Sequence, residues 1–185
     1  MDANELWDRY DAGERDFRGE DLRGIVLEGI ILDGADLSGA VMTEVIIYES
    51  NLIRVNLSEA NLQRIDLKEV NLEEADLHGA DLRSARLLEV FLGQANLSQA
   101  NLSRTTILQS YLCETNLSSA NLTEARLFGG DWTGANLTEA NLTKAELGSL
   151  NWSRINLTKA CVESISIGEE VQLTGALMSD GTIHD

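Results

Sequence analysis

The residues of this sequence that could carry out chemistry are few and widely spaced. There are two histidines, His78 and His184, and two cysteines, Cys113 and Cys161, and no cysteine has a second thiol or a histidine at the spacing of metal ligands. Catalysis needs several titratable groups that converge in one pocket. We therefore predict that the protein is not an enzyme and that it has no catalytic residues, no metal site and no cofactor. A disulfide between the distant cysteines is not expected either.

The composition indicates a single acidic domain. The chain has 185 residues, of which 43% are hydrophobic but only 5% are aromatic, and it contains no proline. The net charge of −17 makes nucleic acid a poor partner and a basic surface a better one. No apolar run approaches the roughly 18 residues of a membrane span, and the acidic N-terminus lacks the apolar core of a signal peptide. We expect a cytoplasmic protein.

An apolar residue at every fifth position determines which structural elements the chain can form, and these elements position all the side chains. This spacing runs without exception through 31 positions, from Phe17 to Ile167. On a helix, which turns by about 100° per residue, these residues would spread around the axis. On a strand, whose side chains alternate between faces, an odd spacing would put them on both faces in turn. The chain must therefore bend once in every repeat, so that short extended pieces wind into stacked coils joined by parallel ladders.

The residue before the apolar position shows how many repeats make one coil. It is Asn or Asp in 19 of the 31 repeats, and both residues favour turns because their side chains bond nearby backbone. When the repeats are sorted by position modulo 20, the four classes contain Asn or Asp in eight of eight, six of eight, four of seven and one of eight cases. This uneven distribution predicts a coil of 20 residues with four sides. Trp132 and Trp152, which point inward and lie one coil apart, should then pack against each other.

Repeats such as ANLSQ, ANLTE and ADLHG closely resemble the A(D/N)LXX units of the pentapeptide-repeat family, over roughly residues 15–183. The resemblance implies an all-β fold: a right-handed quadrilateral parallel β-helix of about eight coils, with the leucine and the small residue pointing inward. At ~4.8 Å per coil the rod would be ~37 Å long. The last residues, GALMSDGTIHD, resemble the C-termini of cyanobacterial members, which implies a cyanobacterial origin.

Both ends of such a stack need caps, because an open coil exposes its core and its unpaired backbone. Residues 1–14 are predicted to form a short capping helix that carries Leu6, Trp7 and Tyr10 near one face and stops at Gly13. The β-helix is assigned to residues 15–168. A one-residue register shift follows, and the five-residue spacing resumes in a C-terminal cap over residues 169–185, whose apolar positions are Leu173, Met178 and Ile183.

Apolar residues at outward positions suggest an interaction surface on the middle coils. The coil geometry should gather them on one edge, next to Arg86, Arg104 and Arg126 as a polar rim. The predicted partner surface consists of Leu88, Phe91, Leu108, Tyr111 and Phe128. Scattered outward apolar residues are also common without any function. We predict a non-enzymatic, regulatory protein–protein interaction module, whose unidentified partner is another protein or a second copy of this chain, with no direct binding of nucleic acid and no membrane association.

The alternative function is mimicry of DNA, because the resemblance extends to quinolone-resistance proteins of the same family that occupy the DNA site of gyrase. An acidic rod could bind gyrase or another DNA-binding protein in this way. Residues 15–168 carry only −9, however, or one charge per ~4 Å, against one per ~1.7 Å of duplex DNA. This charge is also uneven, with −8 in residues 15–89 and −1 in residues 90–168.

Overall fold

The computed structural model describes residues 1–184, which form one short helix and ten strands. The helix α1 spans Ala3–Asp11. Eight strands form a parallel sheet in sequence order, and the last two form an antiparallel pair. The strands are β1 (Val26–Glu28), β2 (Ile46–Tyr48), β3 (Asp66–Lys68), β4 (Arg86–Leu88), β5 (Thr106–Tyr111), β6 (Arg126–Asp131), β7 (Glu146–Gly148), β8 (Ser166–Ile167), β9 (Ala176–Leu177) and β10 (Ile183–His184).

The register of the sheet confirms the predicted parallel β-helix. Each strand pairs with the strand 20 residues later, so that Leu27 lies beside Ile47, which lies beside Leu67. Parallel bridges with the same spacing connect the coils on the other three sides, for example between Asp16 and Asp36. The chain makes seven turns between β1 and β8. The count of about eight coils from the sequence includes the partial turns before β1 and after β8.

The core is a continuous column filled by the five-residue register. Leu102 and Leu122 are fully buried, as are most residues of their class, and the small position two residues earlier is buried as well. Trp132 and Trp152 are buried neighbours, as predicted, with ring centroids 6.1 Å apart and planes tilted by 40°. Ile167 is an exception at 54% exposure, because β8 is the last strand of the sheet and no further coil covers it.

The turns use side-chain oxygens and left-handed backbone once per repeat. The Asn56 Oδ1 atom accepts a hydrogen bond from the backbone N–H of Ser58 at 3.0 Å, and this contact recurs along the sides rich in Asn and Asp. Two residues after the apolar position, φ is positive: +65° at Gly39 and +55° at Glu69. Glycine in this column of the first coils therefore serves the tight corners.

The N-terminal cap is the helix α1, which begins after Asp2. The Asp2 side chain accepts a hydrogen bond from the Glu5 N–H, and Leu6 is the buried residue of the helix. The Tyr10 hydroxyl donates to the backbone carbonyl of Asp33 at 3.0 Å. Trp7, which the sequence predicts near the same face, is instead 52% exposed, because adjacent helix residues point about 100° apart.

The pairing between coils shifts by one residue near the C-terminus. Asn156 pairs with Leu177, a separation of 21 residues instead of 20, and Ala176 in the small position is buried. Leu173 and Met178 are half-buried. Ile183 does not return to the core: it is 67% exposed, because it lies in the antiparallel pair of β9 and β10. The last residue of the predicted C-terminal cap, Asp185, lies outside the residues that the structure describes. Within residues 1–184 no helix has the length and apolar character that a membrane crossing requires.

Candidate interaction surface

The five residues of the predicted partner surface lie on adjacent coils at one corner of the rod, and we call them the apolar edge. Leu88, Leu108 and Phe128 are paired in register on β4, β5 and β6. Phe91 and Tyr111 are bridged to each other on the next side, just past the corner. Because neighbouring parallel strands lie ~4.8 Å apart, side chains in register touch from coil to coil.

Two aromatic rings form the most exposed part of this edge. The rings of Phe91 and Tyr111 stack with centroids 5.1 Å apart and planes 7° from parallel. Their exposures are 41% and 45%, whereas Leu88, Leu108 and Phe128 are half-buried. The pair therefore presents the apolar edges of two stacked rings to solvent, and covering them would remove apolar surface from water.

The strands beneath the apolar edge are longer than elsewhere. β5 and β6 each have six residues and run on through the corner, whereas β1 to β4 and β7 have three. Buried Ser110 fixes this corner: its Oγ donates to the Leu108 carbonyl and accepts from the Val90 N–H of the preceding coil. Buried Thr105 similarly donates to the Leu82 carbonyl at 2.9 Å. Where the sequence departs from the A(D/N)LXX unit in this region, Thr105 and Ser110 thus supply hydroxyl groups that hydrogen-bond to the preceding coil.

The predicted polar rim is only partly beside the edge. Arg86 and Arg126 lie in the same sheet as Leu88 and Phe128, and the Arg126 Cζ atom is 5.6 Å from the centroid of the Phe128 ring. Arg104 does not join them. It lines a separate hollow with Arg64 and other polar residues, because it occupies the corner on the far side of the strands. The rim of the apolar edge therefore has two arginines instead of three.

Two of the titratable side chains named from the sequence, Cys113 and His78, lie on different sides of the rod. The Cys113 Sγ atom donates to the Asp131 carbonyl at 3.6 Å, and burial, followed by the negative charge of Asp131, raises the pKa of this thiol. His78 contacts the Ser98 hydroxyl at 3.0 Å on another side of the rod. Among residues 1–184 no group of three or more His, Cys, Asp or Glu side chains could hold a metal ion.

Three further exposed apolar residues were missed from the sequence. Val26, Ile31 and Ile46 are 49%, 52% and 43% exposed and lie on the same two sides of the rod as the apolar edge, nearer the N-terminus. We call them the N-terminal apolar set. The signal was available, because Val26 and Ile46 stand before the apolar position in the class that is poor in Asn and Asp.

Comparison with known proteins identifies the repeat. The family model for pentapeptide repeats matches in eight copies, over residues 21–58, 50–87, 89–118 and 120–158. HetL, a pentapeptide repeat protein involved in heterocyst differentiation regulation from the cyanobacterium Nostoc sp. strain PCC 7120, is 30% identical over 100% of both chains, with a TM-score of 0.37. Another pentapeptide repeat protein from Nostoc PCC 7120 is 33% identical over 62% of this chain and 80% of its own, with a TM-score of 0.22.

A more distant similarity concerns the fold alone. A trypsin-treated form of QnrB1, a plasmid-mediated fluoroquinolone resistance protein, is 19% identical over 84% of this chain and 86% of its own, with a TM-score of 0.56. None of the curated proteins matches the chain in sequence.

Proposed function

Because this chain belongs to the pentapeptide-repeat family, we propose that it is a non-enzymatic protein–protein interaction module that binds its partner through the apolar edge. The observation that carries the proposal is the stacked pair of Phe91 and Tyr111, which is exposed beside Leu88, Leu108 and Phe128. A contiguous apolar patch on an otherwise polar surface is typical of an interaction site.

The contrast with the other sides of the rod supports this assignment. On the side of Asn96 and Asn116 the outward residues bond to one another, with Asn116 Nδ2 donating to Asn96 Oδ1 at 3.3 Å. The Ser and Thr residues two positions later donate N–H groups to the same oxygens. These sides satisfy their own polar groups and leave little for a partner to recognise. The apolar edge lacks that arrangement and gains most from being covered.

The proposal includes a regulatory role, a cytoplasmic location and a cyanobacterial origin. The identity of 30% with HetL over the full length of both chains supports the origin and the role, since HetL is described as involved in regulating differentiation. The location is supported by the composition and by the two free thiols of Cys113 and Cys161.

Mimicry of DNA is the alternative, and the net charge of −17 is the observation that favours it. Much of the acidity on the coils is paired with arginine, as in Arg54–Glu74 at 2.8 Å and Arg104–Glu124 at 2.9 Å, so the rod does not present an even row of free charges. A gyrase supercoiling assay separates the two functions. Inhibition at roughly micromolar protein would favour the mimic, and no inhibition would remove it.

The proposed function is tested by comparing the proteins captured from a cyanobacterial lysate by three forms of the chain. The wild type is compared with Leu108→Lys/Tyr111→Lys, which places two charges on the apolar edge. The control is Ser118→Lys/Thr123→Lys, which adds the same charges at another corner of the rod. We expect proteins bound by the wild type and the control to be lost with the edge variant. Equal capture by all three forms would contradict the proposal.

A further inference from the structure

We propose that the apolar edge and the N-terminal apolar set form the interface of a parallel dimer, in which two copies lie side by side about a two-fold axis that runs along the rod. This inference rests on the proposed function and names the partner as a second copy of the chain. Five of the eight most exposed large apolar residues belong to these two groups, and they flank a single corner.

Three columns of outward residues run along this corner, one residue per coil. The corner column consists of the residue directly after the buried residue of each strand. Its members are Glu28, Tyr48, Lys68, Leu88, Leu108, Phe128 and Gly148. The strand column lies on one side of it, and reads Val26, Ile46, Asp66, Arg86, Thr106, Arg126 and Glu146. The far column lies past the corner, and reads Ile31, Asn51, Asn71, Phe91, Tyr111, Asp131 and Asn151.

A two-fold axis parallel to the rod and above the corner column makes each corner residue face its own copy. It also makes the strand column of one copy face the far column of the other, at the same level. Leu108 then meets Leu108, and Val26 meets Ile31. In an antiparallel arrangement about Leu108 the strand column would instead face itself.

The contacts at each level favour the parallel arrangement. Arg126 of one copy faces Asp131 of the other, which pairs opposite charges. Arg86 faces Phe91, and the aliphatic carbons of the arginine would cover the exposed part of the ring. Antiparallel packing would place Arg86 against Arg126 and Asp66 against Glu146, so like charges would meet at two levels, and the Arg86–Asp66 and Arg126–Glu146 pairs within each chain would only partly offset this. The charges at these levels therefore favour the parallel dimer over the antiparallel arrangement about Leu108.

Two charged residues of the corner column would face their own copies, and both already have compensating contacts. The Lys68 Nζ atom lies 3.0 Å from Glu69 Oε1 within the same chain. The Glu28 carboxylate accepts a hydrogen bond from the Tyr48 hydroxyl on the next coil. These contacts reduce the repulsion across the axis and leave the apolar levels, from Leu88 to Phe128, as the centre of the interface.

The size of the strip sets the expected strength. Seven rows at ~4.8 Å give a length of ~34 Å, and the three columns span six residues of a coil, or at most ~16.5 Å, so each copy contributes at most about 560 Å². A stable interface buries about 800 Å² per partner. The dimer should therefore be weak and in equilibrium with the monomer.

Sedimentation equilibrium between roughly 10 µM and 1 mM measures this equilibrium. We expect the average mass to rise from 20.3 kDa towards twice that value. Leu108→Lys should abolish the rise, and Ser118→Lys at another corner should leave it intact. A wild-type protein that stays monomeric at the highest concentration overturns the dimer. Because lysate capture through the edge can still succeed in that case, the two proposals fail separately.

Cysteine cross-linking tests the orientation, in chains whose native Cys113 and Cys161 are replaced by serine. In the parallel dimer, both Leu88→Cys and Leu108→Cys face their own copies, so each single variant should form an intermolecular disulfide on mild oxidation. In an antiparallel dimer Leu88 faces Phe128, and only Leu108→Cys should react. Ser118→Cys measures random collision. Cross-linking of Leu108→Cys alone, or of neither variant above the control, overturns the proposal.

Discussion

Replacing Gly130 with alanine should destabilise the solenoid strongly, because the backbone at this point has no room for a side chain. Gly130 lies in β6, has φ of +97° and pairs with Ser110 of β5. A Cβ atom on Gly130 would lie 2.0 Å from the Ser110 carbonyl oxygen and 2.8 Å from its amide nitrogen. A comfortable contact is about 3.5 Å, so the backbone of one coil would have to move by more than about 1 Å.

The size of the effect follows from two contributions. A non-glycine residue with left-handed backbone costs about 1–2 kcal/mol, and an overpacked contact costs about 1–3 kcal/mol. We therefore expect Gly130→Ala to lower the free energy of unfolding by about 2–5 kcal/mol. Gly129→Ala is the matched control: φ is +69°, and the nearest atom to its Cβ would be Cγ of the Gln109 side chain at 3.2 Å, which can move. It should cost only about 1 kcal/mol.

Urea unfolding followed by circular dichroism compares the two variants with the wild type. A loss in Gly130→Ala that is no larger than in Gly129→Ala would show that β6 does not pass through the corner in this geometry. The close approach of the two coils next to Phe128, and with it the shape of the apolar edge, would then be wrong.

Three further predictions concern the core, a thiol and the acidic first coils. Leu102→Ala should lower the free energy of unfolding by about 3–5 kcal/mol because Leu102 is fully buried, whereas Leu88→Ala, at a half-buried position, should lower it by about 1 kcal/mol. Equal losses of the two variants in urea unfolding would contradict the assignment of Leu102 to the core. Burial raises the pKa of the Cys113 thiol, so alkylation of Cys113 near pH ~8 should be slower than alkylation of a free thiol and should become faster as the pH rises. A rate equal to that of the free thiol would count against the burial of Cys113. Hydrogen bonds from Arg18 and Arg23 lower the pKa of Asp16 and Asp21 from 3.8 to about 2. The stability that these two carboxylates contribute is therefore present above pH 3.8 and is lost as the pH falls through about 2. In an acid titration, Asp16→Asn/Asp21→Asn should be less stable than the wild type at neutral pH and equal to it below about pH 2.

The fold was predictable because every fifth residue of the repeat is apolar and must be buried. A leucine in an unbroken five-residue spacing can be buried only in a coil that bends once per repeat, so the burial of Leu102 follows from the pattern. The same reasoning placed Trp132 and Trp152 in contact. It also placed the Asn and Asp side chains at the turns, where their oxygens accept backbone N–H groups.

The ends and the corners were less predictable because they depend on contacts outside the repeat. Trp7 is exposed because α1 buries one narrow face, and Ile183 is exposed because the tail leaves the stack and pairs with β9. Arg104 lies at a different corner from Arg86. The sequence pattern did not predict this, because the direction in which an outward residue points depends on where each turn lies. The hydrogen bonds of Ser110 between coils recur at Ser50, whose coil has only the short strand β2, so they do not explain the length of β5.

The claim that the apolar edge is an interaction surface is tested most directly by hydroxyl-radical footprinting of the protein in its native cells and as a dilute purified sample. Phe91 and Tyr111 are exposed and reactive in the isolated chain, while buried Trp132 and exposed Trp7 serve as internal references. We predict that oxidation of Phe91 and Tyr111 falls in the cell relative to Trp7. Equal oxidation of the two aromatic rings in both samples would contradict the claim.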